Sequence, residues 1–206
     1  MQTAFENKDY DFLSTLSTVV RSMSEGELLA LQLSDQPLNF TEEIYYKIIF
    51  AKTASLIAAA CKTSAIVSNG EPAVIEAITE YGRNVGMSFQ IKDDIFDYSE
   101  NSQIIGKPVG NDICEGKVTL PLIYALKIAT EQEKKEIAEL IRKQDISETD
   151  IKQIIEFTTK QGGIEYAMEK GRKFSQEAIK HINFLPDSDA KESLINFANY
   201  VIEREK

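Results

Sequence analysis

Three aspartates crowd the run Phe89-Gln90-Ile91-Lys92-Asp93-Asp94-Ile95-Phe96-Asp97. In a helix the four-residue offset puts Asp93 and Asp97 on one face, with Gln90 a turn before Asp93. Like charges at that spacing cost an isolated helix roughly 0.2–0.5 kcal/mol, so the cluster calls for water or a cation beside it. Magnesium suits it, because that ion takes oxygen ligands, keeps several waters and is commonly held by one or two carboxylates plus substrate phosphate. A solvated acidic face near a helix end is the competing reading. Gly82 and Gly86 precede the acids on nearly the same face, and helix-weakening glycines imply close approach of backbone or ligand there. Helix–helix packing would use the same glycines.

A polar, glycine-rich stretch follows: Gly106-Lys107-Pro108-Val109-Gly110-Asn111-Asp112, then Glu115-Gly116-Lys117-Val118-Thr119-Leu120-Pro121. A lone loop lysine is usually solvated. Two of them, framed by glycines and following an acidic helix, can carry positive charge to a diphosphate that the metal also binds.

Helices must position these groups. Apolar residues recur three and four apart along most of the chain, and no segment alternates as a strand does, so the chain is expected to be all-α. A first long helix is expected from about Tyr10 to Leu33, with Phe12, Leu13, Leu16, Val19, Val20, Met23, Leu28 and Leu31 facing inward and Pro37 beyond its end. A second starts from the N-cap Thr41 and runs to about Ser68. The third, opened by Pro72, reaches about Tyr98 and carries the acidic motif. After the functional loop of residues 99–117, shorter helices are expected at 119–129, 131–142, 147–159, 163–182 and 187–204, with Ser147 and Asp150 forming a capping box.

The 206 residues, 43% hydrophobic, are read as a single domain spanning 1–206. Thirty-three acidic against 23 basic residues give a net charge of −10, which argues against nucleic acid as a partner while leaving metal-mediated diphosphate binding open. Cys61 and Cys114 have neither metal-ligand spacing nor a disulfide framework, which fits the cytoplasm. The most apolar stretch, Ala54 to Val67, is broken by Lys62 and falls short of the ~20 residues of a transmembrane helix. The N-terminal residues lack the pattern of a signal peptide.

FQIKDDIFDY followed by GKPVGNDICEGKVTLPL resembles the second aspartate-rich region of trans-isoprenyl diphosphate synthases. The resemblance extends upstream to Lys52-Thr53-Ala54, similar to the family's KT pair, and to Met23-Ser24-Glu25-Gly26-Glu27-Leu28, similar to its EGE segment. Downstream it runs through Leu185-Pro186 to Tyr200-Val201-Ile202-Glu203-Arg204, so it covers essentially the whole chain. It implies an isoprenoid-synthase-type helical bundle and a prenyltransferase that condenses an allylic diphosphate, such as geranyl or farnesyl diphosphate, with isopentenyl diphosphate. It further implies a homodimer. Asp93 and Asp94 would bind Mg2+, with Asp97 and Asp112 in direct or water-mediated roles. Lys52, Thr53, Gln90, Lys107 and Lys117 would orient or neutralise the allylic diphosphate, and Phe89 would lie against the substrate.

The family's first aspartate-rich motif has no counterpart before Asp93, so the sequence is read as a C-terminal portion whose N-terminal helices are missing and which is inactive alone. Ala30 stands where the family usually has Gln or Asp. Ala58, Ala59 and Ala60 either line a tunnel for a growing chain or permit close helix packing. Tyr45, Tyr46, Phe50 and Phe96 are expected in the core or a dimer interface. Two other readings remain: a non-catalytic partner subunit, against which the intact acidic and basic residues argue, and a terpene cyclase, whose second metal motif DDIFD does not resemble.

Overall fold

The computed structural model describes residues 2–33, 36–98, 110–143 and 145–205, and these form helices and their connections with no strand among them. A short turn α1 (Gln2–Glu6) leads into α2 (Tyr10–Leu33). Thr41 caps α3 (Glu42–Ile49), its hydroxyl accepting the Ile44 N–H at 3.2 Å, while Glu42 and Glu43 complement the helix dipole. The expected single helix from Thr41 is interrupted, because residues Phe50–Ala54 form one π turn, closed by Ser55 N–H donating to the Phe50 carbonyl, before α4 (Ser55–Val67) resumes. One wide turn scarcely disturbs apolar spacing, so the pattern does not reveal it; such turns often mark functional positions.

Pro72 opens α5 (Pro72–Phe96), whose missing N–H costs nothing in a first turn. Among the described residues of the loop, Asn111–Cys114 form one turn, α6, which the sequence pattern did not predict. Thereafter come α7 (Leu120–Ile128), α8 (Glu131–Ile141), α9 (Glu148–Lys160), α10 (Gly163–Ile182) and α11 (Asp189–Glu203). The Ser147–Asp150 capping box is formed, and a second, Thr130–Glu133, opens α8. That T-x-x-E signal is legible in the sequence.

α5 is the axis of the bundle, lying against α4 on one side and α10 and α11 on the other. Met87, Ile91 and Ile95 join Tyr45, Ile49, Leu120, Leu122 and Ile154 in the main core, while Tyr81 and Val85 join Ala178, Ile182, Ala198 and Val201 in a second cluster. Polar ties fix the registers: Ser88 Oγ donates to the Gly171 carbonyl at 3.0 Å, and Ser175 Oγ to that of Ala198 at 2.7 Å. Glu42 anchors α3 to α10, accepting from Tyr166 at 2.7 Å and pairing with Lys170 at 2.9 Å.

The expectation for α2 needs correction. Val19 is buried, but Val20, Leu28 and Leu31 are more than half exposed and Phe12 and Met23 lie near 36–37%. A 24-residue helix touching neighbours on one side leaves its other apolar side open. Between α2 and α4 a groove of about 500 Å³ is lined by Phe12, Leu16, Leu56, Ala59, Ala60 and Val67, while Ala58 is buried in packing. The helical run Glu42–Val67 is long and apolar enough by composition to cross a membrane. Here its Tyr45, Ile49 and Ala54 belong to the protein core.

Gly82 meets α4 directly, and Gly86 meets the last residue of the π turn. A Cβ on Gly86 would stand 2.6 Å from Ala54 Cα, and one on Gly82 2.6 Å from Cys61 Sγ. Backbone cannot yield as a side chain can, so Gly86→Ala is expected to destabilise the protein by about 1–3 kcal/mol. Urea unfolding measures it; an unchanged midpoint would show that the π turn and α5 do not pack this closely.

Candidate active site

The acidic end of α5 faces the π turn and the start of the segment after α6 across a cavity of about 490 Å³. Lys52 and Thr53 from the π turn, Gln90, Asp93 and Asp94 from α5, and Asp112 and Lys117 line it together, with Phe40, Ile48, Ile49 and Val118 as apolar wall. Of the other candidates, Phe89 and Asp97 do not line the cavity, and Lys107 lies outside the described residues.

Gly26 explains the upstream contact. A Cβ there would lie 2.6 Å from Ala51 Cβ, so glycine lets α2 approach the π turn. Glu27, one residue on, then pairs with Lys52 Nζ at 2.5 Å, and both line the cavity with Ala30. The Glu-Gly-Glu segment thus reaches the site through one glycine and one carboxylate.

A chain of hydrogen bonds orders the floor. Thr53 Oγ1 donates to Gln90 Oε1 at 2.7 Å, which leaves Gln90 Nε2 to donate to Asp94 Oδ1 at 2.8 Å. Tyr45 Oη donates to Asp94 Oδ2 at 2.7 Å. Tyr45, expected only in core or interface, is both a core residue and a partner of the acidic motif. Its signal in the sequence is faint, because a tyrosine one helical turn from apolar residues reads as packing.

Asp93 and Asp94 do different work. Asp93 has a side chain 55% exposed, whereas Asp94 is 5% exposed. Burial lifts the Asp94 carboxyl to about 7; the bonds from Tyr45 and Gln90 oppose that rise, and the charges of Asp112 and Asp93 reinforce it. Asp97 accepts the N–H groups of Asn111 at 2.8 Å and Asp112 at 3.0 Å, so both its oxygens pin the start of α6. Burial, then Asp112, raise it to about 6 against those backbone bonds. Lys117 bridges Asp112 at 3.0 Å and Glu115 at 2.7 Å; burial disfavours its ammonium, yet these carboxylates outweigh that and raise its pKa.

Among the described residues no group of three or more His, Cys, Asp or Glu side chains could cage a metal unaided. Asp93, Asp94 and Asp112 nevertheless put hard oxygen donors around one cavity, and their mutual repulsion is written into the raised Asp94. That donor set fits a divalent cation that completes its shell with water and substrate oxygen.

Asp94 and Asp97 hold protons more tightly folded than unfolded, so the folded state binds more protons between about pH 4 and 7 and stability falls as pH rises through that window. Urea unfolding in chelator at pH 5 and pH 8 is expected to show greater stability at pH 5, with the slope reduced in Asp94→Asn. A slope of opposite sign would contradict this burial.

Residues 1–158 match the family Polyprenyl synthetase. The chain is 36% identical to the short chain isoprenyl diphosphate synthase of Methanothermobacter thermautotrophicus, over 99% of this chain and 63% of that protein. It is 35% identical to the octaprenyl diphosphate synthase of Haemophilus influenzae, over 93% of this chain and 58% of that one. A decaprenyl diphosphate synthase from Rhodobacter capsulatus superposes with TM-score 0.91 at 32% identity, covering 100% of this chain and 63% of that one. A polyprenyl synthase from Caulobacter crescentus complexed with calcium and isoprenyl diphosphate gives 0.91 at 31%, over 100% and 62%. The chain therefore spans about three fifths of the length of these relatives. Its helical bundle and the sequence it carries place it in one group: the chain belongs to the polyprenyl synthetase family.

Proposed function

We propose that this chain supplies the allylic-diphosphate half of a trans-prenyltransferase site, in a protein that condenses an allylic diphosphate with isopentenyl diphosphate. One observation carries the reading: cationic Lys52 and Lys117, hydroxyl Thr53, amide Gln90 and the carboxylates of Asp93, Asp94 and Asp112 converge on one cavity. The names of the relatives, all prenyl diphosphate synthases in the comparison above, support it.

The hard step is breaking the allylic C–O bond, which builds negative charge on the departing diphosphate and positive charge on carbon. Lys52 and Lys117 would exchange their present carboxylate partners, Glu27, Asp112 and Glu115, for that more highly charged group. Gln90, ordered through Asp94, keeps a second Nε2 proton for it, and Thr53 would turn its hydroxyl proton from Gln90 Oε1 to a diphosphate oxygen. The apolar wall of Phe40, Ile48, Ile49 and Val118 excludes water from the cation, which the double bond of isopentenyl diphosphate then attacks before a proton is lost. Magnesium, held by Asp93 with Asp94 and Asp112 close by, would supply further charge stabilisation on the diphosphate. Lys107 is proposed to join on the resemblance of its loop.

Residues 1–206 contain one aspartate-rich motif, so turnover is proposed to need a protein that also carries a second. A single domain, a cytoplasmic setting and a homodimer complete the proposal, and the open apolar side of α2 supports the last. Sedimentation is expected to show self-association; a stable monomer would speak against it.

Calorimetry with farnesyl diphosphate tests the reading. Binding is expected with Mg2+, to be lost in Asp93→Ala and weakened about tenfold in Thr53→Ala or Lys117→Ala, the scale of one charge-assisted hydrogen bond. Binding that ignores both Mg2+ and Asp93 would overturn it.

A further inference from the structure

Just past α11, Arg204 reaches across α5. Its guanidinium lies 4.4 Å from the ring centroid of Phe89 and 5.3 Å from that of Phe96. The side chain is 15% exposed, and buried Nε and Nη2 have no hydrogen-bond partner. Guanidinium does not release its proton, so unmet buried N–H groups cost free energy at any ordinary pH.

The surroundings are already positive. Lys92 Nζ sits 5.0 Å from the Phe96 centroid, and burial, then Arg204 and Arg172, push its ammonium pKa down. An apolar side chain would cover the two rings without these penalties. A cation is useful there only toward an anion, and Nη2 stands 3.9 Å from Asp93 Oδ1. That distance attracts but is too long for a hydrogen bond, so it leaves the carboxylate's lone pairs free for another ligand.

We propose that Arg204, clamped on Phe89 and Phe96, is a positioning residue that holds the carboxylate of Asp93 in the orientation in which it meets a divalent cation. This rests on the reading of the cavity as a magnesium–diphosphate site. It also gives Phe89 a role away from the cavity, as the platform for the arginine. The aromatic clamp restricts the guanidinium, and the guanidinium restricts Asp93, whose side chain is otherwise half in solvent. Outer partners of metal-binding groups act in this way, and losing one commonly weakens metal affinity about 10–100-fold.

The test uses the whole chain with Mg2+ and inorganic diphosphate as probes, comparing wild type, Arg204→Met and Arg204→Lys by calorimetry and by thermal unfolding without ligand. Arg204→Met is expected to raise the Mg2+ concentration for half-saturation about tenfold while diphosphate affinity at saturating Mg2+ stays unchanged, with Arg204→Lys recovering part of the loss. Unaltered Mg2+ dependence in folded Arg204→Met, or in Arg204→Lys should the methionine variant not fold, would overturn the proposal and leave the magnesium–diphosphate reading standing. A loss of diphosphate affinity at saturating Mg2+ would also overturn it, by making Arg204 a direct diphosphate ligand. Absence of Mg2+-dependent binding in the wild type would remove the underlying reading and the proposal with it.

Discussion

A carboxylate cannot leave water cheaply, and Asp94 lies in the protein interior with both oxygens hydrogen-bonded. Bonds to charged groups contribute about 1.5–3 kcal/mol each, whereas burial of one ion costs several kcal/mol even after relaxation. The balance falls on the side of burial, because the carboxyl is raised to about 7 in spite of Tyr45 and Gln90. Much of the architecture serves to keep that residue in place. α3 must bring Tyr45 to it, the π turn must bring Thr53 to Gln90, and α5 must lie close to that turn, which Gly86 permits.

The same arrangement divides labour among the aspartates. Asp94 organises the floor, Asp97 fixes the backbone at the start of α6, and Asp93 remains half in solvent at the cavity. Fixing α6 sets Asp112 and, five residues on, Lys117, so one carboxylate outside the lining governs two groups within it. Three similar residues in one motif thereby acquire three environments, decided by which neighbouring element each one meets.

Much of this was legible before any coordinates. The helix Tyr10–Leu33 follows from periodicity and the start of α5 from Pro72, its end falling two residues short of the expected Tyr98, and Thr41 and Ser147 announce their caps through side-chain chemistry. The acidic motif, the Lys-Thr pair and Lys117 do share a cavity, as their spacing and the family resemblance implied. What escaped the sequence depends on contacts distant in the chain. Tyr45 meets Asp94 across 49 positions, and the ion pair of Arg204 with Asp93 joins α5 to the far end of α11. The outward apolar side of α2 was read as core because a single sequence cannot say which neighbours are present to cover it. Phe89, expected against the substrate, is not among the residues lining the cavity and lies under the Arg204 guanidinium.

The central claim is that the ordered floor around Asp94 presents Asp93, Thr53, Lys52 and Lys117 to one diphosphate. A crystal structure of the chain with Mg2+ and a non-ionising thiolo analogue of an allylic diphosphate tests it most directly. The account predicts diphosphate density between Lys52, Thr53 and Lys117, a cation against Asp93, and an unchanged Tyr45–Asp94–Gln90 arrangement. Diphosphate bound elsewhere, or a cation that draws Asp94 away from Tyr45, would contradict it.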